Sequence, residues 1–191
     1  MEYKLLYYIL SVKYLLAFPL YFKIIKDKFV RDEFFMYLRN DKCPLNGWLS
    51  FVWLFRNYPE YRNVLYCRFS DIYTKIISVV YKKYNTLYLQ VDNNSIGANL
   101  MVWHGFSSII NARSIGSNCS IWQQVTIGNK LDQTESKPRI GDNVKICAGS
   151  IIVGDISVGN NVIIGAGTVV VKDVPDNTTV VGMGNRVLNN H

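Results

Sequence analysis

Histidine is nearly absent from this chain of 191 residues, which carries only His104 and His191. A zinc centre built on three histidine ligands is therefore excluded. Cysteine is sparse as well: Cys43, Cys67, Cys119 and Cys147 form no CxxC pair, and no metal site is expected. No small-residue cleavage motif follows an apolar leader, so the thiols are expected to be reduced and the protein cytoplasmic. Basic residues are scattered among aromatics without a compact run or the signature of a nucleic-acid fold, so nucleic acid is not an expected partner.

Other scarcities are local, and they divide the chain. None of the thirteen tyrosines lies after Tyr88, and twelve of the thirteen glycines lie after Gly47. Acidic residues are few in the first half. Through Gln90 there are fourteen basic and seven acidic side chains, the remainder has seven of each, and the whole net charge of +7 therefore sits in the first half. The composition predicts an α-helical domain over 1–90, a repeat domain over 91–171 and a C-terminal cap over 172–191. Helices are expected at 27–38, 47–56 and 59–83, with Pro59 suited to a first helical position. Residues 5–22 are apolar but interrupted by Lys13 and Pro19. A span needs about 20 apolar residues and a central lysine costs roughly 3 kcal/mol, so a packed helix is expected, with an interfacial helix on an anionic membrane as the alternative.

What the second half has is a period. Aliphatic residues stand at Ile96, Val102, Ile109, Ile115, Ile121, Ile127, Ile140, Ile146, Ile152, Val158, Ile164 and Val170. Every step is six except Val102 to Ile109, which is seven, and Ile127 to Ile140, which fits one hexad plus a seven-residue insertion in a loop over 129–139. A period of six is neither helical nor a simple alternation, and describes short strands separated by regular corners. Three hexads make one triangular coil, so twelve predict a parallel β-helix of about four coils. The marked aliphatics point inward, and Ser107, Cys119, Val125, Val144, Ser150, Val162 and Thr168, two positions earlier, share the interior. Cys119 is then core filler. Gly97, Gly116, Gly128, Gly141, Gly159 and Gly165 suit corners of close approach.

His191 is terminal, which leaves His104 as the one good candidate for a general base near neutral pH. It stands in Val102-Trp103-His104-Gly105-Phe106, where the hexad count gains its extra residue. One coil further on, Gln123 is expected to stack on His104 and Trp122 on Trp103, with the 129–139 loop covering the same edge.

The hexads, the Trp-His-Gly motif, Ile121-Trp122-Gln123-Gln124-Val125-Thr126-Ile127-Gly128 and Val169-Val170-Val171-Lys172-Asp173-Val174-Pro175 resemble the serine acetyltransferase branch of the hexapeptide-repeat acyltransferases. The resemblance covers about 91–188. It implies a left-handed winding, a homotrimer with active sites between subunits, and acetyl-CoA as co-substrate. His104 matches the family's catalytic histidine. Gly128, Ala148, Gly149, Ala166 and Gly167 match positions beside the coenzyme, and Lys172 and Arg186 are the candidate phosphate partners. Trp103, Gln123, Lys137 and Asp92 are candidates for acceptor binding or support.

Departures from the family concern the acceptor. Serine-specific members carry Arg-His-Pro in the loop, where this chain reads Ser136-Lys137-Pro138. They orient the catalytic histidine with an aspartate fifteen residues earlier, where this chain has Leu89, and Asp92 stands three positions on. An O-acetyltransferase acting on a sugar hydroxyl of a cell-surface polysaccharide precursor, at the inner face of the membrane, is the leading expectation. A serine O-acetyltransferase, an amino-sugar N-acetyltransferase and a non-catalytic β-helical scaffold are the alternatives.

Overall fold

The computed structural model describes residues 2–130 and 136–182. Its helical half comprises α1 (Glu2–Lys13), α2 (Phe18–Lys26), α3 (Lys28–Asn40), α4 (Gly47–Asn57), α5 (Pro59–Arg68) and α6 (Ile72–Val80). The apolar stretch 5–22 is broken between α1 and α2 by a 3₁₀ turn, and the two helices meet at 76°. Among the described residues no single helix is long and apolar enough to cross a membrane. The single helix expected over 59–83 is two. α5 ends at Arg68, and α6 starts afresh where Asp71 accepts a hydrogen bond from the Thr74 N–H at 2.9 Å. A side-chain cap of this kind satisfies a backbone donor that a continuous helix would not leave open. The helices bury an aromatic core that includes Phe34, Tyr37, Phe51, Phe55 and Tyr61.

The repeat half is a three-faced prism of parallel strands. Its first face stacks Leu87–Leu89, Ser108–Ile110, Thr126–Gly128, Ile151–Val153 and Val169–Val170. The second stacks Ser114–Ile115, Arg139–Ile140 and Ser157–Val158, prolonged by single bridges from Ile96 and Val174. The third stacks Met101–Val102, Ser120–Ile121, Lys145–Ile146, Ile163–Ile164 and Thr179–Val180. The hexads count four coils, yet two faces carry five strands, because Leu87–Leu89 and Thr179–Val180 lie outside the hexad run. Of the stretch 172–191, residues 172–182 are described, and they add this last rung.

Eleven of the twelve marked aliphatics are buried at 5% exposure or less; Ile109 is the exception at 45%. Ile110 takes its place, fully buried and in register with Ile127, and Ser108 rather than Ser107 is the small interior residue. The hexad count concealed this shift, since a gain of two residues after Val102 is offset by a loss of one before Ile115. Cys119 is interior as expected, and burial pushes its thiol up to about 11.

Two corner devices hold the coils in register. Gly97, Gly116, Gly141 and Gly159 lie so close to the next coil that a Cβ on any of them would come within 2.8 Å of its backbone. Asn99, Asn118, Asn143, Asn161 and Asn177 all adopt left-handed backbone angles, φ 56–59°. Their side-chain amides form a ladder, each bonded to the next at 2.8–3.2 Å. Asparagine tolerates this conformation better than other residues with a Cβ, which explains its recurrence at one corner.

α5 closes the N-terminal end of the prism, and a single stripe of its side chains does so. The Asn63 amide donates to the carbonyls of Tyr84 and Leu87, Val64 enters the prism core, and Arg68 donates to the carbonyls of Ile96 and Gly97 at 2.8 and 2.7 Å. Arg68 is paired with Glu33 at 3.0 Å, both almost fully buried. Tyr37 of α3 adds a further tie, its hydroxyl accepting from the Val102 N–H at 3.0 Å. The helical half is thereby fastened to the coil that carries His104.

Candidate active site

The coil around His104 is distorted by an insertion. The Trp103 N–H donates to the Ile121 carbonyl at 2.8 Å, and the Trp103 and Trp122 rings stack at 6.2 Å. On the next face Ile109 pairs with Thr126, which sets Ser107 level with Gln124. Three residues, His104, Gly105 and Phe106, therefore occupy the stretch that Gln123 fills alone one coil later. This two-residue bulge leaves His104 exposed, at a left-handed φ of 54°, with its carbonyl accepting from the Phe106 N–H. Gly105 is buried beneath it, where an added Cβ would lie 3.0 Å from Leu87 and Val102 and 3.3 Å from the Glu60 Cβ. Only glycine lets the bulge settle this far onto α5.

Glu60, at the start of α5, is the carboxylate beside His104. It is 5% exposed, and its carboxylate accepts from the backbone N–H of His104 while facing the positive charge that the imidazole would carry when protonated. Burial raises its pKa, opposed by its own backbone N–H, by His104 and by Arg62. Tyr58 and Tyr37 also feel its charge. Glu60 was absent from the sequence-derived candidates. It lies 44 positions before His104, and the contact exists only because α5 caps the prism.

The other described candidates fall on two edges of the first face. On the edge it shares with the third face, Gln123, Ala148, Gly149, Ala166 and Gly167 follow His104 and Trp103 along the prism. The Gly149 N–H donates to the Gln123 carbonyl at 3.0 Å and the Gly167 N–H to the Ala148 carbonyl at 2.9 Å. Gly149 and Gly167 have φ of 71° and 68°, and a Cβ on Gly167 would meet nothing within 4 Å. The column is lined by small residues and open to the outside. The side-chain oxygen of Gln123 is buried there without a protein partner. A buried acceptor left open in this way fits a donor brought by a ligand.

The opposite edge of the first face carries Gly128, Lys137, Lys172 and Asp92. Gly128 ends a strand and accepts from the Gly154 N–H at 3.1 Å, and Lys172 follows Val169–Val170, two rungs further on. Lys137 is half-buried where the chain rejoins the prism. Asp92 does not reach His104 within the chain; its carboxylate accepts from the Asn94 N–H at 2.8 Å, capping a 3₁₀ turn beside Leu89. Arg186 and residues 131–135 of the loop lie outside the described residues, as does His191. Among the described residues no group of three or more His, Cys, Asp or Glu side chains could hold a metal ion.

Residues 137–172 match the family described as bacterial transferase hexapeptide (six repeats). A serine acetyltransferase of Staphylococcus epidermidis is 43% identical over 95 residues, 49% of this chain and 45% of that protein. The acetyltransferase WcaB of Escherichia coli K12, named for colanic acid biosynthesis, is 44% identical over 94 residues, 49% of this chain and 58% of that protein. The apoenzyme structure of soybean serine acetyltransferase superposes with a TM-score of 0.63 at 26% identity, covering 87% of this chain and 72% of that one. The chain spans about half the length of the curated relatives it matches. By its repeat, its shared sequence and its fold, the prism half of this chain is similar to serine acetyltransferases and to WcaB, and it carries the bacterial transferase hexapeptide repeat over 137–172.

Proposed function

We propose that this chain is an acetyl-CoA-dependent O-acetyltransferase whose acceptor is a sugar hydroxyl of a cell-surface polysaccharide precursor. The observation that carries the reading is the exposed His104, raised on a bulge over a column of small residues and backed by a buried carboxylate. The left-handed winding and the acetyl donor both follow from the likeness to serine acetyltransferases. Acetyl-CoA supplies an activated thioester. His104 takes the proton of the acceptor hydroxyl as its oxygen attacks the thioester carbon, and returns that proton to the thiolate that leaves. No acyl group is carried on the enzyme.

Glu60 is a positioning residue. Its carboxylate fixes the backbone of the bulge and offsets the charge that His104 gains during proton transfer, the work for which the family uses the aspartate missing at Leu89. Gln123 offers its open oxygen to a donor of the coenzyme arm or the acceptor. Gly149 and Gly167 keep the column clear for that arm. Lys172 faces phosphate from the other edge, and Lys137 faces the acceptor. The two edges are separated by a full prism face, so one chain does not gather the whole set. This division supports a homotrimer in which one copy's histidine edge meets another copy's lysine edge.

The sugar reading is favoured by Lys137 in place of the loop histidine and by the relative named for colanic acid biosynthesis. The serine reading is favoured by the other relatives, named serine acetyltransferases. Thiol release from acetyl-CoA, measured with L-serine and with a panel of sugars and sugar nucleotides, separates them. The expected result is turnover with a sugar that His104→Ala abolishes while the variant still binds coenzyme A. Turnover with serine alone would establish the amino-acid enzyme. Binding of neither coenzyme nor acceptor would leave a scaffold.

A further inference from the structure

The helical half carries an apolar surface that the acetyl-transfer reading does not use. Ile9, Val12 and Leu16 of α1 and the turn after it are 62–67% exposed, and Ile72, Ile76 and Val79 of α6 are 57–74% exposed. The two groups are joined. The Tyr81 hydroxyl donates to the Lys13 carbonyl at 2.6 Å, the Tyr73 hydroxyl to the Leu16 carbonyl, and Lys23 pairs with Asp71 at the N-terminus of α6. α6 thus lies against the bend between α1 and α2, and their outward sides form one face. Six aliphatic side chains, each more than half exposed, on two adjoining elements are more than singly scattered surface apolar residues.

Charge identifies what the face meets. From the start of α1 to the end of α2 there are four lysines and one acid, Glu2, and residues 72–91 contain three lysines and no acid. Asp71, the acid at the seam, is taken up by Lys23. Lys4, Lys13, Lys26, Lys75, Lys82 and Lys83 are exposed. A second copy docked face to face would bring two surfaces of net positive charge together. Anionic headgroups neutralise them, while the acyl boundary takes the aliphatic side chains and the lysine stems reach outward. The 76° bend and the length of α1 and α2 suit lying on a bilayer rather than crossing it.

We propose that the face formed by α1, the turn before α2, and α6 docks the protein on an anionic lipid bilayer. The proposal is independent of which acceptor is acetylated. Its test is flotation of the full chain with vesicles of phosphatidylcholine alone and of phosphatidylcholine with phosphatidylglycerol. Binding to the anionic vesicles is expected, with loss on raising salt and a fall of at least about tenfold in the Ile76→Glu/Val79→Glu variant, as expected for removing apolar burial and adding repulsion. The Lys75→Glu/Lys82→Glu variant, confined to exposed positions, is expected to fall about tenfold as well. Helical circular dichroism and acetyl transfer to a soluble acceptor are expected to stay unchanged in both. Absence of binding to either vesicle, or equal binding to both, would overturn the proposal. So would variants that bind vesicles as before but change the sedimentation coefficient, which would make the face a contact between copies.

Discussion

Replacing Glu60 by glutamine isolates the charge beside His104 with little change of shape. Glu60 is buried and His104 exposed, so the carboxylate acts across the boundary between protein and solvent. Interactions there follow an effective dielectric far above that of a dry interior, and a charge-assisted contact is worth about 1–2 kcal/mol. Since each 1.36 kcal/mol in the barrier is tenfold in rate, kcat should fall by about 5–30-fold. KM for acetyl-CoA should hold, because Gly149 and Gly167 are untouched. Stability should move the other way. Burial raises the Glu60 pKa, so its contribution is fully present below the unfolded value of about 4.3 and is lost as pH rises through the folded one. At pH 8 the ionised carboxylate is a cost that glutamine does not carry, and Tm should stay level or rise. Thiol-release kinetics and thermal melts at pH 5 and pH 8 read both effects. An unchanged kcat would refute the positioning role, as would a fall in kcat accompanied by an equal loss of Tm, which would mark Glu60 as structural.

Arg68→Met should destabilise the protein by about 3–5 kcal/mol in urea melts, because it strands the buried Glu33 carboxylate and removes the donors to Ile96 and Gly97. Replacing Glu33 and Arg68 together by methionine should recover much of that loss. Asn161→Ala should cost about 1–2 kcal/mol, since alanine at φ 56° is strained and two rungs of the amide ladder are lost. Gly167→Asn, a side chain that tolerates the left-handed φ of 68°, fills the open column and should raise KM for acetyl-CoA while leaving KM for the acceptor unchanged, measured by varying each substrate in turn.

The hexads announced the prism because its interior admits one aliphatic residue per side in every coil, and that demand repeats with the backbone. Where the chain departs from the repeat, the count shows only a net change. The bulge at His104–Phe106 and the shortened stretch before Ile115 nearly cancel, so Ile109 stood where Ile110 belongs. The asparagine ladder was equally present in the sequence, at spacings of 19, 25, 18 and 16 residues. A six-residue aliphatic period does not reveal it, because this asparagine recurs once per coil and not once per hexad. The Asp71 that divides 59–83 into two helices is local in sequence as well, yet only its acceptance from the Thr74 N–H distinguishes a cap from an aspartate inside a helix.

The coiled parallel fold, the division into a basic helical half and a neutral repeat half, and the singling out of His104 are all legible in the order of residues. These rest on periodicity and scarcity, which are properties of order along the chain. Packing in three dimensions sets Glu60 against His104, splits the remaining described candidates between two edges of one face, and ties α6 through Tyr73 and Tyr81 to the bend before α2. Each of these is a meeting of segments distant in sequence, governed by how α5 caps the prism and how α6 folds back on the bend before α2. No local pattern encodes such contacts, because their energy comes from burial and from hydrogen bonds that close only when the elements pack.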